Sequence, residues 1–170
     1  MAPVLETERL RLRRHVLSDL DASAAMWADP EVARFIGGLP SSREESWGRL
    51  LRYVGHWALL GHGFWLIEEK ATGKFVGEGG WGTFKREIEP RFEAPEQGWA
   101  LATWAHGKGY AYEAMRAALD WGVAHFGRTD FVCMIAPENA PSLKLAAKLG
   151  YAAYGEAEYK GSLSVLLRRP

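Results

Sequence analysis

The chain contains the stretch His106-Gly107-Lys108-Gly109-Tyr110-Ala111, which lies between a strand-like run over 97–103 and an amphipathic helical pattern. Glycine lets the backbone take up positive φ and approach a ligand closely. The free N–H groups that open a helix attract anions, and the helix dipole and a nearby lysine reinforce that attraction. The stretch therefore predicts a cradle for a nucleotide-like pyrophosphate.

Other phosphate-binding motifs do not fit the sequence. There is no Gly-x-x-x-x-Gly-Lys-Ser/Thr, and Ala111 and Tyr112 stand where Gly-x-Gly-x-x-Gly would need its third glycine. Neither an NTPase nor a dinucleotide enzyme is therefore favoured. Glycine-rich turns also join strands to helices without any ligand, so the hexapeptide alone leaves a purely structural turn open.

Length and composition predict one compact domain over residues 1–170, because 170 residues with 48% hydrophobic content suffice for a single core. Basic and acidic residues balance at 21 each, which disfavours nucleic acid or an anionic membrane as partner. No apolar run approaches the roughly 20 residues of a membrane span, and the first residues lack signal-peptide character. We expect a soluble, cytoplasmic protein.

The cysteine and histidine content predicts neither a disulfide nor a metal site. Cys133 is the only cysteine and lies in the strand-like run 131–135, where a buried, inert thiol is favoured over a nucleophile. The five histidines show no metal-ligand spacing with nearby carboxylates. They are His15, His56, His62, His106 and His125.

Hydrophobic periodicity predicts alternating helices and strands. Ser18, with Asp21 three residues on, is expected to cap the first helix, and Pro30 to close it. Ser41 or Ser42 is expected to cap the third helix, and Gly61 to end it. The helix at 111–126 is expected to pack against the sheet through small residues. Residues 84–95 are charged and contain two prolines, so they are expected to form a surface excursion. The predicted elements are a strand at 9–13, helices at 18–28, 31–35 and 41–60, strands at 64–68, 74–81 and 97–103, a helix at 111–126, a strand at 131–136, a helix at 141–149, and two strands after 150.

This order resembles the GNAT fold of N-acetyltransferases, and in particular its RimJ/RimL-like branch, over nearly the whole chain. Three segments carry the resemblance: Arg9-Leu10-Arg11-Leu12-Arg13, then 96–101 leading to 106–114, and then Asn139-Ala140-Pro141-Ser142 leading to 148–151. The resemblance implies an α/β (α+β) fold, with a central mixed, mostly antiparallel sheet flanked by helices. It also implies acetyl-CoA as co-substrate, with no metal.

The resemblance implies that backbone amides of the glycine loop wrap the CoA pyrophosphate and that the pantetheine arm pairs with the strand before it. His106 stands where the family usually has Gln or Arg, which removes one side-chain phosphate contact. Asn139 is implied to contact the CoA arm and Ser142 to lie near the thioester sulfur, although both are also ordinary helix caps. The implied CoA-binding residues are Trp99, Ala100, Leu101, His106, Gly107, Lys108, Gly109, Tyr110, Ala111, Asn139 and Ser142.

The implied reaction is attack by a primary amine on the acetyl carbonyl, which requires removal of a proton from the ammonium. Glu96 resembles the acidic residue that opens the family's fourth strand, and we predict that it is the base. Glu78, on the adjacent strand, is predicted to help hold the ammonium. The alternative for each is an ordinary surface carboxylate. Ala146 replaces the tyrosine acid of many GNAT members, so Ser142 is the candidate acid.

The acceptor is expected to lie beside the loop 35–38, which matches the family's mobile loop, so Phe35 and Gly37 are predicted to contact it. Trp81 is predicted to attract the cationic amine, with core packing as the alternative. The resemblance implies a protein N-terminus as acceptor. A small amine (an antibiotic, a polyamine or an amino-acid derivative) stays open, as does a non-catalytic acetyl-CoA sensor. A homodimer is compatible with the family analogy.

Overall fold

The computed structural model describes residues 2–170, which form one sheet with helices on both faces. The strands are β1 (Leu5–Glu6), β2 (Leu10–Arg13), β3 (Phe64–Glu69), β4 (Phe75–Gly82), β5 (Glu96–Leu101), β6 (Phe131–Ile135), β7 (Ala152–Tyr159) and β8 (Ser162–Arg169). The helices are α1 (Leu20–Ala28), α2 (Pro30–Ala33), α3 (Arg43–Leu60), α4 (Tyr110–Phe126) and α5 (Ala140–Lys148). The sheet order is β1-β2-β3-β4-β5-β6-β8-β7, and only the β5–β6 pair is parallel. The predicted mixed, mostly antiparallel sheet is confirmed.

The predicted start and end of α3 are confirmed. Ser42 accepts a hydrogen bond from the Glu45 backbone N–H at 3.1 Å, and the Glu45 side chain accepts one from the Ser42 N–H at 2.7 Å. This reciprocal pair is a capping box, which satisfies two N–H groups that the helix itself leaves without partners. Gly61 ends the helix with φ at 72°, a left-handed conformation that favours glycine.

The predicted start of the first helix is wrong, whereas its predicted end at Ala28 is confirmed. Ser18 caps nothing, because it lies inside a short 3₁₀ turn, and the Val16 N–H donates instead to Asp19. Helix α1 ends before Pro30, and Pro30 also begins α2, whose N-cap Asp29 accepts a hydrogen bond from the Glu31 N–H. Proline fits the first turn of a helix because its missing N–H would have no helical partner there.

Helix α4 packs closely on the sheet through small residues, as its sequence pattern predicts. Ala114 and Ala118 are fully buried, and a Cβ added at Gly122 would overlap the Trp81 ring. The Trp81 indole donates to the Ala118 carbonyl at 3.1 Å. The helix is thus held against β4 at a separation that larger side chains would not allow.

The excursion between β4 and β5 is only partly a surface segment, which corrects the prediction. Ile88 is buried in a cluster with Ala157 of β7 and Leu166 of β8. Arg86 is also largely covered, with its guanidinium over the rings of Phe84 and Tyr159. The charged composition concealed this packing because the partners lie on a hairpin about seventy residues later in the chain.

Strands β5 and β6 diverge, and this divergence positions the site. On one side β5 pairs with β4 from Gly77↔Leu101 to Gly82↔Glu96. On its other side β5 pairs with β6 only at Glu96↔Val132. Beyond that pair a wedge opens towards Leu101, and the glycine loop follows at the end of this strand.

Cys133 is buried in the sheet, and burial raises the pKa of its thiol far above the usual range, as expected for an inert cysteine.

Within residues 2–170 no helix combines the length and the apolar character needed to cross a membrane.

Candidate active site

The glycine loop has the backbone geometry of an anion cradle. Gly107 and Gly109 both have left-handed backbones, with φ at 73° and 80°. Gly109 is the N-cap of the 17-residue helix α4, and no side chain caps that end. The first N–H groups of α4 therefore point out of the helix, where the positive end of its dipole favours an anion.

Arg9, in the turn before β2, forms hydrogen bonds that hold the glycine loop in place. Its Nη1 donates to the Lys108 carbonyl at 3.0 Å, and its Nε donates to Glu113 at 2.7 Å. Glu113 also accepts from the Thr7 hydroxyl and from the Arg9 backbone N–H, both at 2.7 Å. Burial would raise the pKa of Glu113, but these hydrogen bonds lower it below its usual value. Sequence reasoning assigned Arg9 only to a strand and missed this role.

Two lysines lie over the ring of Trp104, close to the glycine loop. The Nζ of Lys74 is 3.9 Å and that of Lys108 is 4.6 Å from the centre of the Trp104 ring. The indole N–H of Trp104 donates to the Phe75 carbonyl at 3.0 Å, which fixes the ring. A cation over an aromatic face is attracted by the ring quadrupole. Both ammonium groups add positive charge beside the cradle, and sequence reasoning did not single out Lys74.

The side chain of His106 forms a hydrogen bond with the backbone at the end of β5. Its Nε2 lies 2.9 Å from the Leu101 carbonyl oxygen, so Nε2 carries the proton and donates. The ring therefore links the loop to the end of β5.

Ser142 and Trp99 face each other across the wedge. The indole N–H of Trp99 donates to the Ser142 hydroxyl at 3.3 Å. The Ser142 backbone N–H donates to Asn139 Oδ1 at 3.2 Å, so Asn139 caps α5. Capping is thus present at Asn139, whereas the Ser142 hydroxyl is turned towards β5. The implied contacts of both residues with CoA remain predictions.

Gln97 is a buried polar residue of β5, and its side chain forms hydrogen bonds inside the protein. Its amide donates to the Met115 carbonyl at 3.0 Å, and its Oε1 accepts from the Tyr151 hydroxyl at 2.8 Å. All of these groups are buried, so each would otherwise lose a hydrogen bond to water. Gln97 therefore joins β5 to α4 and to the segment after α5.

Glu78 lies on the face of the sheet that α1 and α3 cover, opposite the face that α4 covers, and its side chain is fully buried. Its carboxylate accepts from Ser23 at 2.7 Å and from the Trp27 indole at 2.9 Å, and it lies 3.1 Å from His15 Nε2. Burial would raise its pKa, but the contacts with His15, Ser23 and Trp27 lower it below the usual value. Glu78 is thus enclosed and has no surface with which to touch an acceptor in this conformation.

Glu96 is 6% exposed and paired with Arg86. Arg86 Nε lies 2.8 Å from Oε2, and Nη2 lies 2.7 Å from Oε1. Burial raises the pKa of Glu96, and Arg86 opposes that shift. Both carboxylate oxygens therefore already accept hydrogen bonds from Arg86.

The structure does not bring the two predicted carboxylates together. Glu78 is opposite Ala100 and Glu96 is opposite Gly82, so they lie on the same face four residues apart along the paired strands. At the rise of a β-strand this is roughly 13 Å. One ammonium group cannot contact both.

A model of the GNAT acetyltransferase domain matches residues 9–152, a span that includes the glycine loop, the wedge and both carboxylates. The chain belongs to the GNAT acetyltransferase family. It is an acetyl-transferring enzyme, as the family resemblance predicted.

Several relatives of this acetyltransferase align over most of their length. YkkB, an uncharacterized protein of Bacillus subtilis, is 32% identical over 86% of this chain and 83% of its own. The uncharacterized N-acetyltransferase p20 of Bacillus licheniformis is 29% identical over 86% of this chain and 81% of its own. An acetyltransferase structure from Agrobacterium tumefaciens superposes with a TM-score of 0.85 at 29% identity, covering 100% of this chain and 95% of that one.

The acetyltransferase places its predicted acceptor residues in two different environments. Phe35 is half-buried and Gly37 is exposed, with φ at 80°, in the turn after α2. Trp81 is fully buried on the α4 face, with its ring centre 4.5 Å from that of Phe131. Trp81 therefore packs in the core and has no surface for an acceptor. Within residues 2–170 no cluster of three His, Cys, Asp or Glu side chains could hold a metal.

Proposed function

We propose that this acetyltransferase transfers the acetyl group of acetyl-CoA to the α-amine of a protein N-terminus, as expected for the RimJ/RimL-like branch. The observation that carries the proposal is that both candidate carboxylates are already occupied by donors from the protein. Glu78 contacts three polar groups and Glu96 is held by Arg86. Neither is free to deprotonate a strongly basic amine.

An α-amine suits such a site because it needs little help to lose its proton. The pKa of an α-ammonium group is about 8, whereas that of a lysine side chain is about 10.4. Near neutral pH a useful fraction of the α-amine is therefore neutral and nucleophilic without a strong base. A polyamine or a lysine side chain would depend more heavily on a free carboxylate.

The acetyltransferase has the features needed to hold acetyl-CoA. The N–H groups of the loop 107–111, together with Lys74 and Lys108, would bind the pyrophosphate. The edge of β5 that diverges from β6 would pair with the pantetheine arm along Trp99, Ala100 and Leu101. Bound there, acetyl-CoA supplies an activated acetyl group. Backbone N–H groups near Leu101 would stabilise the negative charge that develops on the carbonyl oxygen.

Solved structures that share the fold include enzymes with acceptors of both kinds. An acetyltransferase of Salmonella typhimurium, described as modifying the N-terminal serine of a ribosomal protein, superposes with a TM-score of 0.79 at 18% identity. A chimera of the spermidine N-acetyltransferase SpeG superposes with a TM-score of 0.68 at 18% identity. At these identities the likeness extends to the fold, so the choice of acceptor depends on the chemistry of the carboxylates.

A small cationic amine is the second candidate acceptor. The observation that favours it is the exposed acidic side chains of the excursion, Glu87, Glu89 and Glu93, which would attract a cation. These carboxylates lie in the segment that precedes the Glu96 end of β5, whereas the glycine loop follows the other end of that strand. They are therefore less well placed to act on the reacting amine.

Release of CoA from acetyl-CoA distinguishes the candidates. The acceptors are peptides with a free N-terminus, the same peptides with a blocked N-terminus and one lysine, spermidine, an aminoglycoside and free amino acids. We expect turnover of the free N-terminal peptides, with a rate that rises between about pH 7 and 8 as the α-amine loses its proton. Turnover confined to spermidine or the aminoglycoside would contradict the proposal. Tight acetyl-CoA binding with no acceptor turned over would indicate a sensor.

A further inference from the structure

The charge of Arg49 acts on Glu45, one turn earlier on α3, but no acidic side chain within residues 2–170 forms a salt bridge with Arg49. Its one side-chain hydrogen bond runs from Nη2 to the Ser41 hydroxyl, at 3.3 Å. Its Nε is buried and has no hydrogen-bond partner. A buried donor of a charged group that lacks a partner is uncommon, because the group has given up its water.

The orientation of Arg49 is fixed by Trp27. The guanidinium carbon lies 3.7 Å from the centre of the indole ring, so the two planar groups are in close contact. Because all N–H donors of a guanidinium lie in its own plane, a partner on its face leaves them available. Nε and Nη2 share one edge of that plane and match the two oxygens of a carboxylate.

Ser46 supplies a second unpartnered group nearby. It precedes Arg49 by three residues on α3, so both side chains lie on the same side of the helix. Ser46 is fully buried, and its hydroxyl has no hydrogen-bond partner. Two of the three buried side-chain atoms without partners in the described residues thus lie within one turn of α3.

This position adjoins the predicted acceptor site. Trp27 packs in one cluster with Ala100 of β5 and donates its indole N–H to Glu78. The Ser41 backbone N–H donates to the Trp27 carbonyl at 2.9 Å, which ties down the end of the loop that begins near Phe35. Arg49 therefore contacts Trp27 and also Ser41, which lies at the end of the acceptor loop (residues 35–41).

We propose that Arg49 and Ser46 form a carboxylate-binding subsite for the acceptor. The acceptor would then carry a carboxylate close to its amine, either as Asp or Glu among the first residues of a peptide or as the carboxylate of a free amino acid. The subsite would repel a polyamine. Entry requires the loop to release Arg49, and the Ser41 contact that must break is long for an N–H···O hydrogen bond. This inference rests on the proposed function for the location of the amine.

The test compares peptides that differ only at the second residue, which is Glu, Gln or Lys. For the wild-type enzyme we expect the KM of the Glu peptide to be at least about 10-fold lower than that of the Gln peptide, as for a charge-assisted contact. Arg49→Lys keeps the charge but loses the two-donor edge, so it should remove most of this preference. Arg49→Gln should remove all of it. The KM for acetyl-CoA should stay within about 2-fold in both variants.

The matched control is Arg43→Gln, because Arg43 is an exposed arginine in the first turn of the same helix. It should keep the preference for Glu. Thermal unfolding of each variant shows whether the fold is retained. If Arg49→Gln fails to fold, Arg49→Lys still decides the question.

The outcomes separate this inference from the proposed function. Equal KM values for the Glu and Gln peptides in the wild-type enzyme would overturn the subsite and leave N-terminal acetylation standing. Turnover of free amino acids but not of peptides would overturn the proposed acceptor and support the subsite. Turnover of spermidine alone would overturn both. If nothing turns over, calorimetric binding of the N-acetylated Glu peptide decides: weaker binding to Arg49→Lys supports the subsite, and equal binding overturns it.

Discussion

His15 and Glu78 form a contact inside the protein, with His15 Nε2 3.1 Å from Glu78 Oε1 and neither side chain exposed. His15 follows β2 and Glu78 lies in the middle of β4, so the contact links the segment after β2 to the centre of the sheet. Ser23 and Trp27 of α1 complete the set of groups around the carboxylate. The network secures α1, and through Trp27 the base of the acceptor loop, to the sheet.

The Glu78 network should make stability depend on pH. Because the folded-state pKa of Glu78 is lowered from 4.5, its contribution is present above about pH 4.5 and is lost as pH falls through the folded value. Glu78→Gln should lower the free energy of unfolding by about 3 kcal/mol at pH 7, with a smaller difference below pH 4. Urea unfolding at several pH values measures this. An equal difference at pH 3 and pH 7 would contradict it, and Glu44→Gln, an exposed change on α3, is the control.

Glu96→Gln tests whether Glu96 is the base. Because Arg86 holds both oxygens, we expect the substitution to lower the free energy of unfolding by about 2 kcal/mol. We expect the pH dependence of kcat/KM to stay unchanged. If the variant loses the rise of kcat/KM with pH that a general base produces, Glu96 is instead the catalytic group. In a double-mutant cycle with Arg86→Gln, the two changes should be strongly non-additive in stability.

Gly109→Ala tests the cradle. Alanine in this left-handed position costs roughly 1–2 kcal/mol, and its Cβ would lie 3.4 Å from Arg9 Nη2. We therefore expect the KM for acetyl-CoA to rise about 10-fold or more, measured by CoA release. Gly73→Ala is the matched control, because Gly73 has φ at 71° in the β3–β4 hairpin, with no atom within 4 Å of the added Cβ. It should reduce stability similarly and leave the KM unchanged.

Ser142→Ala tests the candidate acid. The change removes the hydroxyl that faces Trp99 but keeps the backbone N–H that donates to Asn139, so the cap of α5 survives. We expect kcat to fall about 10-fold to 100-fold, with little change in the KM for acetyl-CoA. Wild-type kcat with a normal melting temperature would exclude the hydroxyl from the reaction.

The sequence predicted the elements well where local patterns govern them. The capping box at Ser42, the stop at Gly61 and the small residues of α4 all follow from rules that act within one or two turns of a helix. The start of α1 was wrong because a 3₁₀ turn over Leu17–Asp19 contains the residues that were expected to begin the helix. The burial of Ile88 was missed because its partners come from β7 and β8.

The site residues depend on contacts that no local pattern reveals. Lys74 was not foreseen because the ring that holds it, Trp104, comes thirty residues later. Arg9 reaches a carboxylate and a loop carbonyl about a hundred residues away in the chain. Sheet pairing and helix packing bring these groups together, so no regular spacing of residues in the sequence indicates the contacts of Lys74 and Arg9.

The sequence by itself determined the family and the order of the elements, together with the backbone geometry of the glycine loop. These properties follow from residue types at short spacing, such as glycines at positive φ before a helix. Only the tertiary structure decided how the carboxylates are used. Strand pairing separates Glu78 from Glu96, burial encloses the first, and Arg86 occupies the second. The electrostatic environment of a side chain is set by neighbours that are distant in sequence, so it emerges only when the chain folds.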